Sequence, residues 1–194
     1  MRCYKGCPFG GVILALLWGL SVYGVAEGFA LDLRKPQQRG VGIVVGSSYD
    51  PSPAIGFAFL SGMAVYDYEQ IMSHAAPEAL RFKFEGNIGL SDQTHPRLLA
   101  SGNIFAMYYL RGLANGRLRP YIEGGIGLIY TDFQVKDQGL RLNFNPQAGI
   151  GAEWHTRGGT SWYTALRAWH VSNSDLHRDN RGINGVVLQC GRIF

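Results

Sequence analysis

The chain of 194 residues carries a net charge of +4, 16% charged residues and 27 glycines, and its mean hydropathy is −0.02. That hydropathy excludes a multi-span helical membrane protein, and 46% hydrophobic content with so little charge excludes global disorder. Scattered Lys and Arg leave no basic footprint for nucleic acid, so no nucleic-acid partner is expected.

At the N-terminus, Arg2 and Lys5 precede an apolar stretch from Gly10 to Ala26, and Gly24-Val25-Ala26 places small residues where a signal peptidase cuts. This order predicts a secretory signal peptide over residues 1–26, then an N-terminal segment at 27–39. Cleavage after Ala30 and retention as a membrane anchor are the alternatives. Cleavage removes Cys3 and Cys7 and leaves Cys190, so no internal disulfide can staple the mature chain.

Beyond residue 39 the chain reads as strands at roughly 40–49, 54–67, 80–91, 102–112, 120–132, 142–156, 161–173 and 183–194. The first two alternate least cleanly. At Arg81–Ser91, Phe82, Phe84, Ile88 and Leu90 oppose Arg81, Lys83, Glu85 and Asn87. At Asn103–Arg111, Ile104, Ala106, Tyr108 and Leu110 share one face. At Tyr121–Thr131, Ile122, Ile126, Leu128 and Tyr130 oppose Tyr121, Glu123 and Thr131. Leu142–His155 is the clearest case: its even positions are all apolar and its odd positions polar or Gly, a period-two strand with two unlike faces. Asn115-Gly116 and Gly158-Gly159 mark short turns, while Asp92–Ala100, Asp132–Arg141 and Asn173–Gly182 read as longer loops.

Eight such strands suit a soluble ligand-binding barrel with its apolar face inward, or a transmembrane barrel with that face toward lipid. The apolar faces are nearly free of charge, while the polar faces carry both signs: Arg81, Lys83, Glu85, Glu123, Glu153 and Arg167. Alternating short and long connections and the terminal Phe194 add to this. The expectation is therefore all-β: an eight-stranded antiparallel transmembrane barrel of the outer-membrane type over 40–194, with a charged lumen, in the bacterial outer membrane. Eight strands leave interior for side chains only, so a pore is disfavoured.

Strand 161–173 carries candidate chemistry. His170 and Ser172 stand two apart, so they share the outward face with Trp162, Leu166 and Ala168. Ten residues from Trp162 at about 3.3 Å each, tilted near 45°, climb about 23 Å of the roughly 25 Å apolar band. The pair is thus expected at the outer rim, level with head groups and acyl esters. Ser beside His is the core of an ester hydrolase, and Asn173 is a candidate oxyanion donor. No G-x-S-x-G elbow occurs. His155, His170 and His177 have no metal-binding spacing, so neither metal nor cofactor is expected.

His170-Val171-Ser172-Asn173, a polar loop, Gly182-Ile183-Asn184 and a final aromatic-ended strand together resemble the lipid A 3-O-deacylase (PagL) family. Arg119-Pro120-Tyr121-Ile122-Glu123-Gly124-Gly125 and Leu142-Asn143-Phe144-Asn145-Pro146-Gln147-Ala148-Gly149 resemble its fifth and sixth strands. The resemblance implies an outer-membrane hydrolase that removes the ester-linked 3-hydroxyacyl chain at the 3-position of lipid A, with lipopolysaccharide as substrate. It implies Ser172 as nucleophile and His170 as general base. The family's third member, a Glu on the last strand, falls here on Asn184. An Asn can orient a His but cannot stabilise an imidazolium as a carboxylate does. Asp175 and Asp179 in the loop are alternative acids, whereas phase turns Glu123 and Glu153 into the lumen. A catalytically weak or inactive barrel with a structural or binding role is the competing expectation, and monomer and homodimer are both left open.

Overall fold

The computed structural model describes residues 35–72, 74–93 and 95–194. The expected signal peptide at 1–26 lies outside the described residues, as does most of the segment at 27–39. The described chain is β1 (Gln38–Asp50), β2 (Gly56–Asp67), β3 (Leu80–Ser91), β4 (Arg97–Tyr109), β5 (Leu118–Thr131), β6 (Leu142–Phe144), β7 (Gln147–His155), β8 (Ser161–Val171) and β9 (Ile183–Ile193). All neighbouring pairs are antiparallel, and β4 with β5 and β1 with β9 close the sheet on itself. β6 and β7 both pair with β5 and form one stave, broken at Asn145-Pro146 because Pro146 has no N–H for the ladder. The result is an antiparallel barrel of eight staves.

Three features depart from expectation. β4 starts at Arg97, inside the stretch read as a loop, and pairs with β3 from Ser91 onward. It ends at Tyr109, where a 3-10 turn, Arg111–Leu113, takes over. The connections do not alternate cleanly in length. At the end that holds the chain's C-terminus, residues 68–79 form a long connection with a short helix, α1 (Tyr68–Met72). At the opposite end, 51–55 and 92–96 are short, while 132–141 and 172–182 are long.

The outer face is apolar. Pairing sets Val45, Leu188, Leu166, Ile150, Ile122 and Tyr108 side by side across six staves, and each is 41–62% exposed. An uninterrupted apolar row of this kind is stable only against lipid. Together with its closed antiparallel wall, this makes the protein an outer-membrane-type barrel.

The lumen is a filled core in three layers rather than a charged channel, because eight staves enclose only enough room for side chains. Toward the 132–141 and 172–182 loops, Val44, Phe57, Phe59, Leu99, Ile129 and Trp169 pack together. At the other end, Met63, Val65, Met107, Tyr109, Tyr121 and Tyr163 form a second apolar layer. Between them lie the buried ions. Arg167 Nε donates to Glu123 Oε1 at 2.6 Å, and its two terminal nitrogens donate to Glu85 at 2.9 and 3.0 Å. Lys83 donates to Glu123 as well. Both cations sit over the Phe105 ring at 4.5 Å. Two cations meeting two carboxylates leave the layer electrically balanced, the condition for burying charge at all. Arg81, expected in the lumen, instead pairs with Asp67 at the barrel's end.

Candidate active site

β8 delivers His170 to the outer face and the chain leaves the strand just after it. The inward positions Tyr163, Ala165, Arg167, Trp169 and Val171 are buried, whereas Trp162, Leu166 and Ala168 are exposed and His170 and Ser172 half-exposed in the same phase. Ser172 is anchored by its backbone. Its N–H donates to Phe144 O at 3.1 Å and its carbonyl accepts from Phe144 N–H at 2.8 Å. His170 N–H donates to Pro146 O at 3.1 Å, and Asn145 Nδ2 donates to His170 O at 2.8 Å. The break at Asn145-Pro146 thus grips the backbone on which both candidates stand.

β9 supplies the partner of the imidazole. Asn184 is paired directly with His170, and its Oδ1 lies 2.6 Å from His170 Nδ1. Ser172 Oγ makes no hydrogen bond among the described residues: the structure joins the imidazole to Asn184 and not to Ser172. The ring leans over Gly182: a Cβ there would meet His170 Cε1 at 2.8 Å.

The loop residues serve a different end from the one expected. Asn173 is buried, and its Nδ2 donates to Gln138 O at 2.9 Å and to Asp179 O at 2.8 Å, while its N–H donates to Asn180 Oδ1 at 2.8 Å. All three of its donor hydrogens are committed, so its side chain is a strut between the two long loops and not a free oxyanion donor. Arg181 N–H, donating to Asp137 O at 2.7 Å, adds a second stitch between those loops. Asp175 accepts from Asn180, and Asp179 lies beside His177 and Arg178. Neither carboxylate is bonded to the imidazole. Glu123 and Glu153 are buried in the lumen, on the far side of the wall.

One residue the sequence reading passed over stands behind Asn184. Asp50 Oδ2 accepts from Asn184 Nδ2 at 3.0 Å, and Asp50 Oδ1 pairs with Arg181. Even positions of β1 face inward, as buried Gly40, Val44 and Ser48 do, so plain alternation would turn Asp50 into the barrel. The register slips between Ser48 and Asp50: Ser48 pairs with Gly185 and Asp50 with Asn184, leaving Tyr49 over. This β-bulge re-aims Asp50 to the outer face. A His–Ser contact, His155 Nδ1 to Ser161 Oγ at 2.6 Å, lies at the opposite end of the barrel, away from His170 and Ser172.

Residues 68–192 match the family model described as lipid A 3-O-deacylase (PagL). The chain is 34% identical over 85 residues to Lipid A deacylase PagL of Pseudomonas aeruginosa, a stretch covering 43% of this chain and 48% of that protein. The match thus spans about half the length of that relative. The crystal structure of the outer membrane enzyme PagL superposes with a TM-score of 0.57 at 22% identity, covering 78% of this chain and 97% of that one. Neisserial surface protein A superposes with a TM-score of 0.52 at 14% identity, covering 80% and 93%. Both share the barrel fold.

Proposed function

The chain belongs to the lipid A 3-O-deacylase (PagL) family, and from that premise we propose that it hydrolyses the ester-linked 3-hydroxyacyl chain at the 3-position of lipid A, with Ser172 as nucleophile and His170 as its base. The observation that carries this reading is the pairing of His170 with Asn184 on the outer face, two residues from Ser172, with Nε2 left unoccupied by that contact. The apolar row below the site seats the barrel in lipid, so an acyl ester at head-group level lies within reach of the wall.

In this reading Ser172 Oγ attacks the ester carbonyl while its proton passes to His170 Nε2. The tetrahedral intermediate collapses as His170 returns that proton to the sugar oxygen, the leaving group, and an acyl-serine remains. Water, deprotonated by the same nitrogen, then attacks the acyl-serine, freeing a 3-hydroxy fatty acid and restoring the Ser172 hydroxyl. Asn173 takes no part in this scheme, because its donors are already bonded.

The test is a mass spectrum of lipid A from membranes with and without the protein. Loss of one 3-hydroxyacyl mass is expected with the native chain and not with Ser172→Ala; deacylation retained in that variant overturns the assignment. The competing reading is an inert barrel with a binding or structural role, and the neutral side chain on the imidazole is the observation in its favour. A purified, folded protein without activity on lipid A or simpler acyl esters would decide for it.

A further inference from the structure

The residue bonded to the imidazole is an amide, and an amide alone holds a His ambiguously. Its carbonyl can accept from a protonated Nδ1, or, flipped, its NH₂ can donate to a bare Nδ1. Only the first leaves Nε2 with the lone pair that could take a proton from Ser172. Something must choose between them, and the choice lies one residue further back. A carboxylate has no proton to give, so an ionised Asp50 accepts from Asn184 Nδ2 and forbids the flip. With Nδ2 committed, Oδ1 faces His170, and Nδ1 must carry the hydrogen of the 2.6 Å contact.

We propose that Asp50, turned outward by the bulge in β1, is a positioning residue of this site: its carboxylate fixes the Asn184 carboxamide, which fixes the Nδ1–H tautomer of His170 and keeps Nε2 free as the base for Ser172. The catalytic part of this proposal rests on the hydrolase reading above; the tautomer part does not. During attack the Ser172 proton moves to Nε2 and the imidazolium keeps its Nδ1–H on Asn184 Oδ1. Asp50 remains ionised throughout and takes no proton. The negative charge absent at position 184 is thereby supplied through one intervening amide.

The surroundings leave Asp50 this role. On the β7 side, the residues against His170 are Asn145 and Pro146, neither of them charged. From β9 comes Asn184, and from the loop comes uncharged Gly182. Arg167, on β8 itself, points into the lumen. Arg181 holds the other oxygen of Asp50, so the carboxylate is braced from both sides.

The experiment has two readouts on the full barrel refolded in detergent micelles. The first is kcat and KM for lipid A deacylation in native protein, Asp50→Asn, Asn184→Glu and the double variant. A direct Asp→Asn loss in serine proteases costs about 10⁴ in rate, so a carboxylate acting through an amide should cost roughly 10- to 100-fold in kcat, with KM little changed. In the Asn184→Glu background the carboxylate touches His170 directly, and Asp50→Asn should then cost nothing. A purely structural Asp50, needed only to hold Arg181 and its loop, would lose the same factor in both backgrounds, and that result overturns the proposal. Asp50→Glu, which keeps the charge, should recover part of the loss.

The second readout is ¹⁵N NMR of the His170 imidazole. Native protein should give the Nδ1–H tautomer and Asp50→Asn a mixture, whether or not the protein cleaves lipid A. A native Nε2–H tautomer, or no change on substitution, refutes the relay. A native protein inert to lipid A with the expected NMR result refutes the hydrolase reading and leaves the positioning intact. Heat-modifiable gel mobility verifies folding, and Asp50→Ser replaces Asp50→Asn if the latter does not fold.

Discussion

Gly182→Ala adds one methyl at the site and nothing elsewhere. Its Cβ would lie 2.8 Å from His170 Cε1, 3.2 Å from Val171 O and 3.5 Å from His170 Nε2. Carbon atoms in good contact sit at about 3.5–4.0 Å, so the ring must retreat by about 0.7–1.2 Å. The backbone carbonyl of Val171 cannot yield, because it belongs to the wall; the imidazole can. Its retreat is opposed by the 2.6 Å contact with Asn184 and shifts Nε2 from the position the proposed base would act from. A misplacement of about 1 Å is enough to cost about 10²-fold in rate. Gly182 is not among the residues with positive φ, so alanine meets no backbone strain there and the fold should stay intact. Lipid A deacylation should therefore fall about 10²-fold while the urea midpoint of unfolding hardly moves. A Gly182→Ala protein within about threefold of native activity would refute the claim that this glycine keeps the place of the imidazole.

Three other substitutions probe the rest of the frame. Arg167→Met strips Glu85 and Glu123 of their shared cation and leaves them to Lys83; breaking a buried ion cluster in this way should cost about 3–5 kcal/mol, and an unfolding free energy lowered by less than about 1 kcal/mol would contradict the picture. Leu166→Arg puts a charge in the middle of the lipid-facing row, with an expected penalty of about 2–4 kcal/mol, read as a reduced folded fraction in vesicles; an unchanged fraction would mean this face does not meet hydrocarbon. Asp175→Ala and Asp179→Ala should each leave deacylation within about threefold, since neither carboxylate is bonded to the imidazole, and a loss near 10⁴ in either would place the acid in the loop after all.

Period-two alternation made most of the wall legible. It put Glu123, Glu153 and Arg167 inside and His170, Leu166 and Ile150 outside, because a strand that separates lipid from a packed interior has no freedom to slip by one residue. The same alternation turns Asn184 outward with Val186 and Leu188, and the strand register sets it beside His170. The same rule turns Asn173 inward, and the buried side chain agrees; reading it as an oxyanion donor weighed its chemistry above its phase. Asp50 was out of reach for the opposite reason. A bulge reverses phase beyond itself and announces itself by no composition, and with the first strand read as 40–49 the carboxylate behind Asn184 fell just past its end. The start of β4 was missed because Asp92, His95 and Pro96 signal a turn, while the pairing of Arg97–Ala100 with β3 depends on the partner strand. The apolar end layers of the lumen were missed because inward Trp169 and Val171 read as ordinary wall residues until the barrel is closed around them.

The seam between β1 and β9 joins the two ends of the barrel's chain, and it runs through the site: Asp50 comes from the first stave, Asn184 and His170 from the last two. A chain caught before closure holds Ser172, His170 and Asn184 on one hairpin but has no carboxylate behind them. On that reading, cylinder closure and completion of the proposed relay are one event. In the proposed reading, the site stays weak while its strands are unjoined and reaches full strength only in the finished barrel. In the proposed relay, proof of assembly is thereby written into the chemistry of the site itself.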